Sequence, residues 1–150
     1  MADVPPEPDE LNTGLLLFVA YRAMENRIFA ALERAGFDDF TLAQARVMQR
    51  IGPDGTRLTE LAESAQVTKQ TASHLVDQLE RTGYVRRTPD PTDARARLVR
   101  LAERGVAAQP VAAAVLAEVE DEWRAHLGER RWRQLREALA SLREITDPYR

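Results

Sequence analysis

The sequence predicts a mainly α-helical fold with a small β-hairpin, an α+β class. Three observations predict it. Apolar residues recur at three- and four-residue steps through most of the 150 residues. β-like segments are confined to the region Tyr84–Leu101. Between Thr56 and Leu101 the order reads as short helix, tight turn, second helix, then a hairpin with arginines in and after its loop.

The elements follow in order. Residues 1–10, MADVPPEPDE, are acidic and Pro-rich and read as a disordered tail without the basic and apolar regions of a signal peptide. Leu11–Ala35 reads as a helix, with Leu11, Leu15, Phe18, Tyr21, Ile28 and Leu32 on one stripe and Gly36 as its stop. Leu16, Leu17 and Val19 make its first half apolar on more than one face. Such a helix needs cover on two sides, from its own core and from a second chain. Thr41 opens the next helix with a T-x-x-Q capping box ending at Gln44. Gly52-Pro53-Asp54-Gly55 ends it in a turn. Thr56-Arg57-Leu58 is short enough to pair as a minor strand beside the hairpin.

Thr59 is the candidate cap of a short helix, Leu61–Ala65, with Gln66-Val67 as the turn. Thr68 caps the next helix, whose inward stripe is Ala72, Leu75, Val76 and Leu79, and Gly83 stops it. Tyr84–Thr88 and Arg97–Leu101 form the hairpin strands around the turn residues Asp90-Pro91-Thr92-Asp93. From Glu103 the chain is helical again, with a kink or delayed start at Pro110. Leu127-Gly128 breaks the run. Glu129–Ile145 is the last helix, with Trp132, Leu135, Leu139 and Leu142 on one face.

Composition narrows the function. The absence of cysteine excludes disulfides and thiolate chemistry and fits a cytoplasmic protein. No apolar run reaches the ~20 residues of a membrane span. The formal net charge is −3. Yet residues 41–104 hold 11 Arg/Lys against 8 Asp/Glu, while the rest holds 10 against 16. A basic segment on an acidic body suits a nucleic-acid partner, because local charge meets the phosphates.

The helix after Thr68 carries the chemistry. Opposite its apolar stripe stand Lys69, Gln70, Ser73 and His74, with Thr68 and Thr71 at its start. Hydroxyls and a lysine approach phosphates, Gln70 can meet adenine in a bidentate fashion, and the helix N-terminus adds N–H donors. Arg95 and Arg97 on the hairpin suit a narrow, electronegative minor groove. Arg86 and Arg87 on the first strand divide between a phosphate contact and a structural role, the phosphate contact being assigned to Arg87. Asp93, two residues before Arg95, is placed to hold that guanidinium.

These residues resemble the MarR family of winged helix-turn-helix regulators. The matching pieces are L-E-R-x-G-Y-V-x-R over Leu79–Arg87, D-P-x-D-x-R over Asp90–Arg95, and L-V-x-L-x-x-x-G over Leu98–Gly105. The resemblance implies an N-terminal dimerisation helix (11–36), a winged helix-turn-helix DNA-binding lobe (37–102) and C-terminal dimerisation helices (103–150). It implies a homodimeric repressor on a palindromic operator in double-stranded DNA, with recognition helices in successive major grooves and wings in flanking minor grooves. It also implies release by a small, often phenolic, aromatic ligand. Here Phe18, Tyr21, Arg22, Arg46 and Met48 are the candidate border of an effector cleft. His74 and Ala102 depart from the pattern, standing where arginine and threonine are common.

Neither histidine, His74 or His126, has an acidic cluster at ligand spacing, so no metal site is expected. No cofactor motif, nucleophile–base pair or carboxylate dyad is visible, so no enzymatic activity is expected. The alternative is a protein-interaction module on the same fold, or an activator without small-molecule control. The arginine-bearing hairpin favours DNA.

Overall fold

A computed structural model describes residues 10–149; the expected disordered tail lies almost wholly outside them. The order is α1 (Thr13–Arg34), α2 (Leu42–Met48), β1 (Thr56–Arg57), α3 (Leu58–Ser64), α4 (Lys69–Arg81), β2 (Val85–Asp90), β3 (Asp93–Leu101), α5 (Glu103–Leu127) and α6 (Glu129–Thr146). The chain is thus mainly helical with a small sheet, as its periodicity predicts.

Local chemistry sets most boundaries. Asn12 caps α1, its side chain accepting from the Leu15 amide at 2.9 Å. Thr41 and Gln44 form the reciprocal capping box of α2, at 3.2 and 2.8 Å. Thr68 caps α4 through the Thr71 amide at 3.1 Å. α3 departs from expectation. It begins at Leu58, and the side chain at its cap position, Arg57, makes no capping bond to the helix. Thr59 is therefore inside the helix rather than its cap. The chain leaves β1 directly into α3, so strand pairing, not a hydroxyl, fixes the start.

β1 does pair beside the hairpin, Thr56 opposite Val99 and Arg57 opposite Leu98, and β3 is the central strand of the order β1-β3-β2. The hairpin strands run further than predicted, to a closing pair Asp90–Asp93 around Pro91-Thr92, with an irregularity between Pro89 and Asp90. Proline has no N–H to give the ladder, so that irregularity falls where pairing is weakest.

The core lies under the sheet. Leu61, Val76, Leu79, Tyr84, Val85 and Val99 are at most 1% exposed. Each such side chain contributes roughly 1.5–3 kcal/mol by leaving water. Phe29, Phe40 and Tyr84 stack edge to face with centroids 5.5 and 5.2 Å apart, joining α1 to the lobe. α1 packs on α5, and Arg27 clasps Glu122 across them at 2.5 and 2.9 Å. The start of α5 is not delayed: it begins at Glu103 and runs through Pro110. The missing proline N–H frees the Val106 carbonyl, and Val106 is 54% exposed, so water can take the bond. Gly128, at φ +80°, reverses the chain between α5 and α6.

Candidate nucleic-acid interface

The α3–turn–α4 unit presents a polar face. Thr68, Lys69, Gln70, Thr71 and His74 are exposed and Ser73 is half-buried, while Ala72, Leu75, Val76 and Leu79 pin the opposite face to the core. The Thr68 hydroxyl also donates to Thr71 Oγ1 at 2.9 Å, which orders the helix entrance. A bond from Gln44 Nε2 to Gln78 Oε1, at 2.8 Å, fixes α4 on α2. The polar face is therefore rigidly held.

The hairpin separates its arginines into two kinds. Arg95 and Arg97 are exposed, as is Arg86, and none has a carboxylate partner among the described residues. Arg87 is different. Its guanidinium meets Asp77 at 2.7 Å and Glu80 at 3.0 Å, and its amide donates to Glu80 at 3.1 Å. It braces β2 against α4. Asp77 is thus a local pairing residue, and the solvent-facing cation of this strand is Arg86.

Asp93 does not hold the Arg95 guanidinium. Its Oδ1 accepts from the Arg95 backbone amide at 3.0 Å, because a carboxylate two residues upstream reaches the main chain first. The wing is secured instead by Asp90, which sequence reasoning placed only in the turn. Asp90 is buried, accepts from the Thr92 amide and hydroxyl at 2.8 and 2.7 Å, and pairs with Arg57 at 2.7 Å. The Thr92 bonds, then Arg57, hold its carboxyl down to about 2. The findable signal was the Asp-x-Thr turn motif.

A second fastening joins the lobe to α5. The buried Tyr84 hydroxyl donates to Asp39 at 2.5 Å. Arg104 bonds Asp39 and the Thr82 carbonyl and lies 4.4 Å over the Tyr84 ring. Burial, then the Asp39 bond, pushes the Tyr84 hydroxyl well above its ordinary range.

The candidate cleft residues divide. A cavity of about 180 Å³ opens between α1, α2 and α5, and Met48 lines it. Arg46 and Tyr21 stand behind its wall, both bonded to Glu25, which does line it. Phe18 and Arg22 face solvent on α1, the guanidinium 5.6 Å over the ring. The remaining lining comes from residues that periodicity assigned to packing, such as Phe29, Phe40 and Ala108. Nothing in their spacing distinguishes a cavity wall from a filled core.

No group of three or more candidate metal ligands occurs among the described residues, and no described helix is long and apolar enough to cross a membrane.

Comparison with known proteins agrees with this architecture. Residues 38–96 match the MarR family. No curated protein matches the chain. Among solved structures, the transcriptional regulator PA4135 is 25% identical, with 91% of this chain and 99% of that one covered at a TM-score of 0.69. A Mycobacterium tuberculosis MarR-family protein in complex with salicylic acid is 26% identical over 91% and 99%, at a TM-score of 0.63. An S. aureus MepR mutant bound to an oligodeoxyribonucleotide is 22% identical over 91% and 99%, at a TM-score of 0.53. The match to the MarR family thus covers the helix-turn-helix lobe, and the fold shared with solved MarR-family regulators extends across the flanking helices.

Proposed function

We propose that the protein is a homodimeric, sequence-specific DNA-binding transcriptional regulator of the cytoplasm, acting as a repressor on a palindromic operator. The observation that carries this reading is the division of the arginines. Those that brace the fold, Arg57, Arg87 and Arg104, are paired with carboxylates, while Arg95 and Arg97 stand exposed on the hairpin that follows α4. Unpaired cations beside a rigid helix make a surface for phosphates and groove edges. An interaction module for proteins alone would have no use for them.

In this reading α4 enters the major groove, with Thr68, Lys69, Gln70, Thr71 and Ser73 at phosphates and base edges and His74 further along its exposed side. Arg95 and Arg97 follow the flanking minor groove. A second copy supplies the other half-site, about 34 Å away along the duplex. The apolar outer face of α1 and the exposed Leu139, Leu142 and Ile145 of α6 supply the dimer interface. The cavity between α1, α2 and α5 takes a small aromatic effector. It lies where the dimerisation helices meet the DNA-binding lobe, so a ligand with different affinity for two lobe angles shifts the helix spacing.

Footprinting on DNA flanking the protein's own coding sequence tests the reading. Two protected half-sites related by a dyad are expected. Protection without a dyad would overturn the dimeric assignment, and no protection at any sequence would overturn DNA binding.

A further inference from the structure

The cavity between α1, α2 and α5 has one charged group in its wall, and it is negative. Glu25 lines the cavity and is 3% exposed. Its Oε1 accepts from Arg46 Nη2 at 2.9 Å; its Oε2 accepts from Arg46 Nε at 3.1 Å and lies 3.0 Å from the Tyr21 hydroxyl. A carboxylate has four acceptor positions. Three are used, and the fourth is on Oε1. Arg46 itself is half-exposed and lies outside the lining, so the ion pair has its anion towards the cavity and its cation towards solvent. The bonds from Arg46 hold the Glu25 carboxyl below its usual range, so it stays ionised. No Arg, Lys or His lines the cavity; its other polar side chains include the amides of Gln49 and Gln109.

Resting on the ligand-controlled reading above, we propose that this cavity takes a small amphiphile with an apolar body of about one ring and a hydrogen-bond-donating head, alcohol or ammonium, and excludes aromatic carboxylates. The donor head takes the free position on Glu25 Oε1, and the ring lies among Phe29, Phe40, Met48 and Ala112. A carboxylate head would be desolvated beside a like charge, with the nearby cation, Arg46, already held by Glu25 outside the lining and no donor in the wall but two amides. Glu25 is thus a specificity-determining residue.

The test is a matched series on the intact full-length protein: 3-phenylpropan-1-ol, 3-phenylpropylammonium and 3-phenylpropanoate, followed by calorimetry and thermal shift. The alcohol and the ammonium are expected to bind about tenfold or more tightly than the carboxylate. Glu25→Gln, which removes the negative charge and releases Arg46, should reverse the order. Ala112→Leu, which fills the cavity, should abolish binding of all three. Equal or tighter binding of 3-phenylpropanoate by the unaltered protein overturns the charge selectivity while leaving ligand control standing. Binding that survives Ala112→Leu overturns the assignment of the site. If none of the three binds, both the charge selectivity and the cavity as an effector site fall. The unaltered protein decides the selectivity even where Glu25→Gln does not fold.

Discussion

Asp90 carries more of the wing than its place in a turn suggests. Its carboxyl sits at about 2 in the folded chain, against 3.8 for an ordinary aspartate. A depressed folded value means that ionised Asp90 stabilises the fold above pH 4, and that this contribution is lost as pH falls from about 4 towards 2. Asp90→Asn should therefore lower Tm at pH 7, with the gap to the parent closing near pH 2; thermal melts at both pH values check it, and an equal gap would remove the role. The DNA face makes different demands of single residues. Arg95→Ala should weaken operator binding by roughly 1–3 kcal/mol with altered sequence preference, whereas Lys69→Ala should weaken all sequences alike and reduce the salt slope by about 1. His74 is exposed on the polar side of α4 without a fixed charge of its own. His74→Arg should tighten binding and steepen the salt slope by about 1. Anisotropy titrations at several salt concentrations read all three, and an unaltered affinity for Arg95→Ala would detach the wing from DNA.

At the scale of elements, the joint between the lobe and α5 depends on one missing side chain. A Cβ at Gly105 would lie 2.3 Å from the Tyr84 carbonyl and 3.0 Å from Leu101 Cδ2. The first turn of α5 therefore sits directly on the sheet, clamped by Arg104, Asp39 and the Tyr84 hydroxyl. Gly105→Ala should cost roughly 1–3 kcal/mol in urea unfolding, as overpacking does, and should also loosen DNA binding by tilting the lobe. Unchanged stability would mean that the joint yields without strain. How much of this was legible varies with the range of the interaction. The caps at Thr41 and Thr68 were readable, because a hydroxyl and an amide three residues apart decide them. The inward stripe of α4 was readable because it repeats with the helical period. The start of α3 was not, since pairing of Thr56 with Val99 fixes it across the sequence. The roles of Arg87 and Asp90 were hidden for the same reason: their partners, Asp77 and Arg57, are 10 and 33 residues away. The cavity left no trace, because a gap between helices depends on how three apolar faces meet.

For the whole molecule, the decisive surface is the first half of α1. Residues 11–20 are all exposed, although the run includes Leu15, Leu16, Leu17, Phe18 and Val19. On α6, Leu139, Leu142 and Ile145 are exposed too, Ile145 at 84%. Apolar side chains in such number on flanking helices call for a partner of like character. In the homodimer proposed above, a second copy would satisfy this with a closed two-fold contact, in which the same patch serves both chains. Leu16→Glu tests the arrangement, because Leu16 is 55% exposed within the chain and its replacement leaves the core intact. The variant should keep its helical circular dichroism, sediment as a monomer at micromolar concentration, and lose roughly 10²–10⁴-fold in operator affinity as the second half-site ceases to count. A dimer unchanged by Leu16→Glu would place the interface elsewhere. A monomer that bound the operator as well as the parent would show that one lobe suffices, and the palindromic reading would fall with it.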